Sequence, residues 1–153
     1  MRGRRRLKNK LSGERESNHC LCDALYELKS FQDLLESSKT RFFGHLFAKI
    51  AGTDTIPLLL ISKNGEPLSF SSTEECFETN YFRIESIDRD TCCTTISLLR
   101  PLDIEGNFSN SFCDVVKLEK TSICKTVDLS CICAIQLLET ELLTRKIIIE
   151  PKW

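Results

Sequence analysis

Histidine is almost absent from this chain, His19 and His45 being its two, and with it goes the commonest general base of enzyme catalysis. The thiol nearest a histidine, Cys20 beside His19, lies close to a chain end, and adjacent pairs of that kind are ordinarily incidental. No glycine-rich loop has phosphate-binding spacing. The carboxylate pairs, Glu74 with Glu75 and Asp88 with Asp90, fall in polar stretches where a solvated surface is the ordinary reading. An enzyme is therefore not expected. Long apolar runs are missing too: Ile56 to Ile61 and Ile147 to Ile149 are far short of the roughly 20 residues of a membrane helix. The arginines near the N-terminus are not followed by the apolar stretch of a secretory signal. The chain is expected to be made and kept soluble in a cytosol, without export or a membrane partner. There is no internal repeat or low-complexity block, and 153 residues with 41% hydrophobic and 28% charged content suit one core.

Cysteine, by contrast, is abundant: Cys20, Cys22, Cys76, Cys92, Cys93, Cys113, Cys124, Cys131 and Cys133, nine in all. A reducing cytosol would keep them as thiols, serving as small core residues, metal ligands or redox groups. Because the number is odd, at least one sulfur stays free or bonds to another molecule. Charge is also unevenly placed. Arg2, Arg4, Arg5, Arg6, Lys8 and Lys10 hold six of the 21 basic residues, so positions 11–153 carry 15 against 22 acidic ones, a net of −7. These divisions suggest a basic flexible arm over 1–18, a helix-plus-β domain over 19–143 and a tail over 144–153.

Leu21, Leu25, Leu28 and Leu35 recur at helical spacing, and Asp23 sits in the opening turn, so 19–36 is expected to be an amphipathic helix. The periodicity then changes. Ile56 to Ser62 and Leu68 to Phe70 flank Asn64-Gly65, a pair that readily takes the left-handed angles of a hairpin turn. Further extended runs are expected at 81–87, 92–99, 113–119 and 123–138. One N-terminal helix followed by antiparallel strands makes a mainly β fold, a small sandwich or barrel.

Successive side chains of a strand point to opposite faces, so parity sorts the cysteines. Cys131 and Cys133 share odd positions with Val127, Leu129, Ile135 and Leu137, and Cys92 sides with Ile96 and Leu98. These three are expected to be buried thiols. Cys93 sides with Thr95 and Ser97, Cys124 with Thr126 and Asp128, and Cys113 is out of step with Val116 and Leu118. With Cys20 at the helix start, they are the expected outward set. Cys76 lies in a polar loop and Cys22 on the helix, and parity assigns neither a role. A single bulge would invert any of these assignments.

The Cys-x-Cys pairs at 20–22 and 131–133 lack the two-to-four-residue spacer of structural zinc sites, and the two-residue spacer of dithiol oxidoreductases is missing as well. No metal or other cofactor is expected, although a zinc-binding or redox module is the first alternative. The second is nucleic-acid binding through the arm. The acidic body and the lack of an aromatic platform weigh against it, and an arm that docks onto an acidic partner protein fits better.

Several longer segments carry a resemblance. They are Cys20-Leu21-Cys22-Asp23-Ala24, Asp54-Thr55-Ile56-Pro57, Cys76-Phe77-Glu78, Phe82-Arg83-Ile84-Glu85 and Cys92-Cys93-Thr94-Thr95-Ile96-Ser97-Leu98-Leu99-Arg100-Pro101. Leu118-Glu119-Lys120-Thr121, Cys124, Val127-Asp128-Leu129 and Cys131-Ile132-Cys133-Ala134-Ile135-Gln136 follow. Together they resemble the cysteine-rich spore coat proteins Y and Z, and the exosporium basal-layer protein Y, of bacilli. The resemblance implies a structural protein made in the mother cell, which self-assembles on the spore into a two-dimensional, hexagonal sheet cross-linked by disulfides between subunits. It implies copies of itself and other coat or exosporium proteins as partners, and the outward set that parity gives, Cys20, Cys93, Cys113 and Cys124, is then the expected set of bridging thiols. The chain departs from that pattern where Ser37-Ser38-Lys39-Thr40-Arg41 replaces Cys-Pro-Thr-Gly-Cys and where Leu137 replaces a cysteine. Both departures imply fewer cross-links, and the basic arm and the Ile147-Ile148-Ile149 tail are particular to this chain.

Overall fold

A computed structural model describes residues 20–36, 46, 49 and 52–146. The basic arm, both histidines, the 37–41 departure and the 147–149 tail lie outside the described residues. Residues 20–36 form helix α1, whose Cys22, Leu25, Leu28 and Gln32 are buried along one face at spacings of three and four. The strands that follow are β1 (Leu58–Ser62), β2 (Phe70–Ser72), β3 (Phe77–Thr79), β4 (Phe82–Ile87), β5 (Cys93–Leu102), β6 (Lys117–Asp128) and β7 (Ile132–Leu137). A one-turn 3-10 helix, Leu129–Cys131, joins β6 to β7, and a short helix α2 spans Glu141–Thr144. The fold is mainly β with one N-terminal helix, as expected. Five strands form an antiparallel sheet in the order β6-β5-β4-β1-β7, and β2 and β3 make a separate hairpin.

The order itself shows that the large sheet is rolled. β6 and β7 occupy its opposite edges, which in a flat sheet would lie about 19 Å apart, four strand spacings. Yet only Leu129–Cys131 separates the two strands, and four Cα steps span at most about 14 Å. The sheet must therefore curl until its edges approach. Beyond Ser62 the pairing of β1 with β7 runs on into the turn, where Lys63 N–H donates to the carbonyl of Cys131 at 3.3 Å. Asp128 makes the corner by capping the turn, its carboxylate accepting from Ser130 N–H at 2.9 Å. That bond, with the pull of Lys63, holds the Asp128 carboxyl below its ordinary value.

Inside the roll Leu58, Leu60, Phe82, Ile84, Ile96, Leu98, Val127, Leu129 and Ile132 pack with Cys22, Leu25 and Leu28 of α1. On the opposite face Leu59, Tyr81, Leu99 and Leu118 form a second cluster, covered by Leu142 and Leu143 of α2. Burial pushes the Tyr81 hydroxyl up to about 12. β1 is covered on both faces, so its Leu-Leu-Leu-Ile run shows no alternation. The expected turn at Asn64-Gly65 is present, with Gly65 at φ 83 and its N–H donating to the carbonyl of Ser62 at 2.9 Å. Its return arm is a single bridge, Ile61 to Pro67.

Polar contacts fix α1 to the sheet. β1 pairs with β4 at one position only, Leu58 opposite Phe82, so this edge of β4 has no strand partner at Ile84. The amide of Gln32, fully buried, donates to the Ile84 carbonyl at 2.7 Å and accepts from Ile56 N–H at 3.2 Å. Arg83, also buried, is held by Glu36, by Glu85 at 2.6 Å and by the hydroxyl of Thr55 at 2.9 Å. Burial by itself would raise Glu85. Its hydrogen bonds from Arg83 and Ser97, with the attraction of Arg83 and Lys29, outweigh burial and hold the carboxyl below the usual range.

Candidate functional site

Where the cysteines stand is the functional question, and the structure divides them in a way that parity did not. Cys22 and Cys92 are joined by a disulfide within the chain, their Cα atoms 5.5 Å apart and 70 residues apart in sequence. Cys22 is buried on the inner face of α1, and Cys92 lies in the β4–β5 turn. There it takes a φ of 58, a left-handed conformation rare outside glycine, and its N–H donates to the Asp88 carbonyl at 2.7 Å. The bond clamps the start of the helix to the turn. Arg89 of the same turn reinforces it, reaching Asp23 at 3.4 Å and lying 4.2 Å over the ring of Tyr26. Cys92 thus sits against the core, but as half of a bond rather than as the free thiol that parity suggested.

The other seven cysteines, Cys20, Cys76, Cys93, Cys113, Cys124, Cys131 and Cys133, are exposed and unbonded. For Cys131 and Cys133 this corrects the sequence reading, which buried both. The reason is the 3-10 turn Leu129–Cys131, which breaks the strand in the middle of the run taken as continuous. Val127 and Leu129 point inward, Ile132 points inward after the turn, and a bulge against β1 between Ile61 and Ser62 then leaves Cys133 without a partner and outward, with Ile135, opposite Leu60, back on the inner face. Cys113 is exposed for a different reason from the one expected, since residues 113–116 belong to a loop and β6 starts at Lys117. Cys124 lies on β6 opposite Ser97, on the face shared by Lys120, Ser122, Thr126 and Asp128, all exposed.

These thiols concentrate at two ends of the sheet. Cys93 begins β5 opposite Asp128, which leads into the Cys131 turn, and the adjacent Cys92 draws in α1 with Cys20. At the other end, the loop between β5 and β6 carries Cys113 and the exposed Ile104, Phe108 and Phe112. Phe108 packs on Phe77 with ring centroids 5.3 Å apart, and Phe112 stands edge-on to Tyr81 at 5.7 Å. Cys76, beside Phe77, lies at φ 58 in the β2–β3 turn. The neighbouring Glu75 is pinned by Arg100 at 2.6 and 2.7 Å.

Among the described residues no group of three or more histidine, cysteine or acidic side chains could hold a metal ion. What the surface offers is exposed sulfurs at both ends of the sheet and on β6. These candidate sites lie on the outside of the molecule. The sequence profile of the family described as Spore coat protein Z matches residues 8–140, and the chain belongs to that family. It is 29% identical to Spore coat protein Z of Bacillus subtilis (strain 168) over 148 residues, which covers 85% of this chain and 95% of that one. No solved structure matches.

Proposed function

We propose that this protein is a structural subunit of the bacterial spore surface, made in the mother cell. It assembles with copies of itself, and with other coat proteins, into an extended layer that disulfides then lock. The observation that carries this reading is the exposure of all seven unbonded cysteines. Free cysteine is among the most buried residue types, so a chain using cysteine only as a small core residue would hide them. Here the one pair that touches the core is bonded internally, and the remainder face outward.

Two ends bearing thiols suit repeated contacts along a layer better than a closed dimer does. The exposed Ile104, Phe108 and Phe112 beside Cys113 give such contacts an apolar component. Non-covalent assembly comes first, because a disulfide forms only between cysteines whose Cα atoms have come within about 7 Å. Each cross-link breaks two S–H bonds and forms one S–S bond. Two electrons and two protons pass to dioxygen, which becomes hydrogen peroxide, once lysis of the mother cell exposes the layer. Electron microscopy of the purified chain, imaged with and without reductant, tests the reading. Ordered sheets that resist denaturant only after oxidation are expected, and soluble monomers under both conditions would overturn it.

A further inference from the structure

β6 is the longest of the described strands, 12 residues, and none of them but β5 pairs with it, which leaves its second edge without a strand partner among the described residues. An unpaired strand edge is a template for another chain. Opposite Leu98, β6 holds two residues more than β5 does, so it bows out from its partner there. The alternation of more and less exposed residues nevertheless runs unbroken from Glu119 to Asp128.

The exposed face of this strand reads Lys120, Ser122, Cys124, Thr126, Asp128, and it is complementary to its own reverse. We propose that two copies of the chain meet edge to edge along β6, antiparallel, on a two-fold axis through Cys124. That register sets Ser122 opposite the partner's Thr126, Cys124 opposite the partner's Cys124, and Lys120 opposite the partner's Asp128, each pair of unlike residues occurring twice. Registers centred on Lys120 or Asp128 would oppose like charges, which is destabilising. Residues directly opposite in an antiparallel pair have Cα atoms about 4.5–5.5 Å apart, within the span a disulfide bridges. Lys120 already holds Asp54 at 2.9 and 3.0 Å, but an ammonium has three donors. The Cys124 thiol makes only a weak contact, 3.7 Å to the Ser122 carbonyl. The bond between the two Cys124 sulfurs uses the same two-electron oxidation by dioxygen as the other cross-links.

This contact rests on the layer reading and supplies one of its interfaces. It is tested in the full chain with Cys20, Cys76, Cys93, Cys113, Cys131 and Cys133 replaced by serine, leaving Cys124 as the one exposed thiol. On exposure to air a disulfide dimer should form, and nothing larger. Under reductant, Ser122→Lys with Thr126→Glu places opposite charges across the axis, and Ser122→Glu with Thr126→Glu places like charges there. The first should associate at least roughly tenfold more tightly than the second in sedimentation. Equal association of the two variants, or a Cys124 that stays a free thiol in air, would overturn the contact. If unmodified protein still forms sheets in that event, the layer reading survives it; if unmodified protein remains monomeric, both fail.

Discussion

Opening the Cys22–Cys92 bond should loosen the whole molecule, and the size of the effect follows from where the bond sits. The two cysteines are 70 residues apart, and a cross-link closing a loop of that length lowers the entropy of the unfolded chain by an amount worth about 4 kcal/mol at 25 °C. Cys22 is 2% exposed, so a serine there buries a hydroxyl. The cleaner perturbation is chemical reduction of a chain whose seven exposed cysteines are already serine. Guanidinium denaturation followed by circular dichroism, with and without reductant, should show a loss of about 2–4 kcal/mol and a fall in Tm of about 10 °C. A change below about 1 kcal/mol would mean that Gln32, Arg83 and the apolar face of α1 suffice to hold the helix, and that loop closure adds little.

Replacing the exposed cysteines by serine should act the opposite way, abolishing covalent multimers on non-reducing gels while moving stability by no more than about 0.5 kcal/mol. Gln32→Leu should cost about 2–4 kcal/mol in the same denaturation assay, because it orphans the buried Ile84 carbonyl and the Ile56 N–H together. Acid should destabilise the protein through Glu85, whose carboxyl is held below the ordinary range when folded. The unfolded chain then takes up the proton first. This contribution is complete above the ordinary carboxylate range and is lost as pH falls through the lower folded value. Glu85→Gln should accordingly flatten the dependence of Tm on pH between neutrality and about pH 3, and an unchanged slope would remove Glu85 from the acid response.

Much of the architecture could be read from local pattern. The leucines at 21, 25 and 28 marked α1, Asn64-Gly65 marked a turn, and β4 and β5 emerged within a few residues of their bounds. The hairpin β2–β3 escaped notice because its strands are three residues each and set in a polar stretch. The break between 119 and 123 was misplaced because the outer face of an edge strand is polar, so Lys120 to Ser122 resembled a loop. Conversely, Leu129–Cys131 continued an apolar alternation and hid the corner that, with the bulge just beyond it, turns Cys131 and Cys133 outward. That corner depends on Asp128 capping a turn, a signal present in the sequence but weaker than the alternation around it. The Cys22–Cys92 bond had half a signal at each end: Cys22 is spaced with Leu25 and Leu28, and Cys92 shares parity with Ile96 and Leu98. What joins them is the packing of α1 against the β4–β5 turn, a long-range contact that no local pattern encodes.

The most direct test of disulfide-locked assembly is mass spectrometry of non-reduced digests from layers grown with equal amounts of light and heavy-isotope chains. A bridge between two molecules gives mixed-isotope peptides alongside all-light and all-heavy ones, whereas a bridge within a chain gives no mixed peptide. The expected outcome is mixed-isotope bridges among the exposed cysteines, Cys124 to Cys124 included, with Cys22–Cys92 isotopically pure. Layers whose digests contain no mixed bridge, or whose mixed bridges run through Cys22, would contradict it.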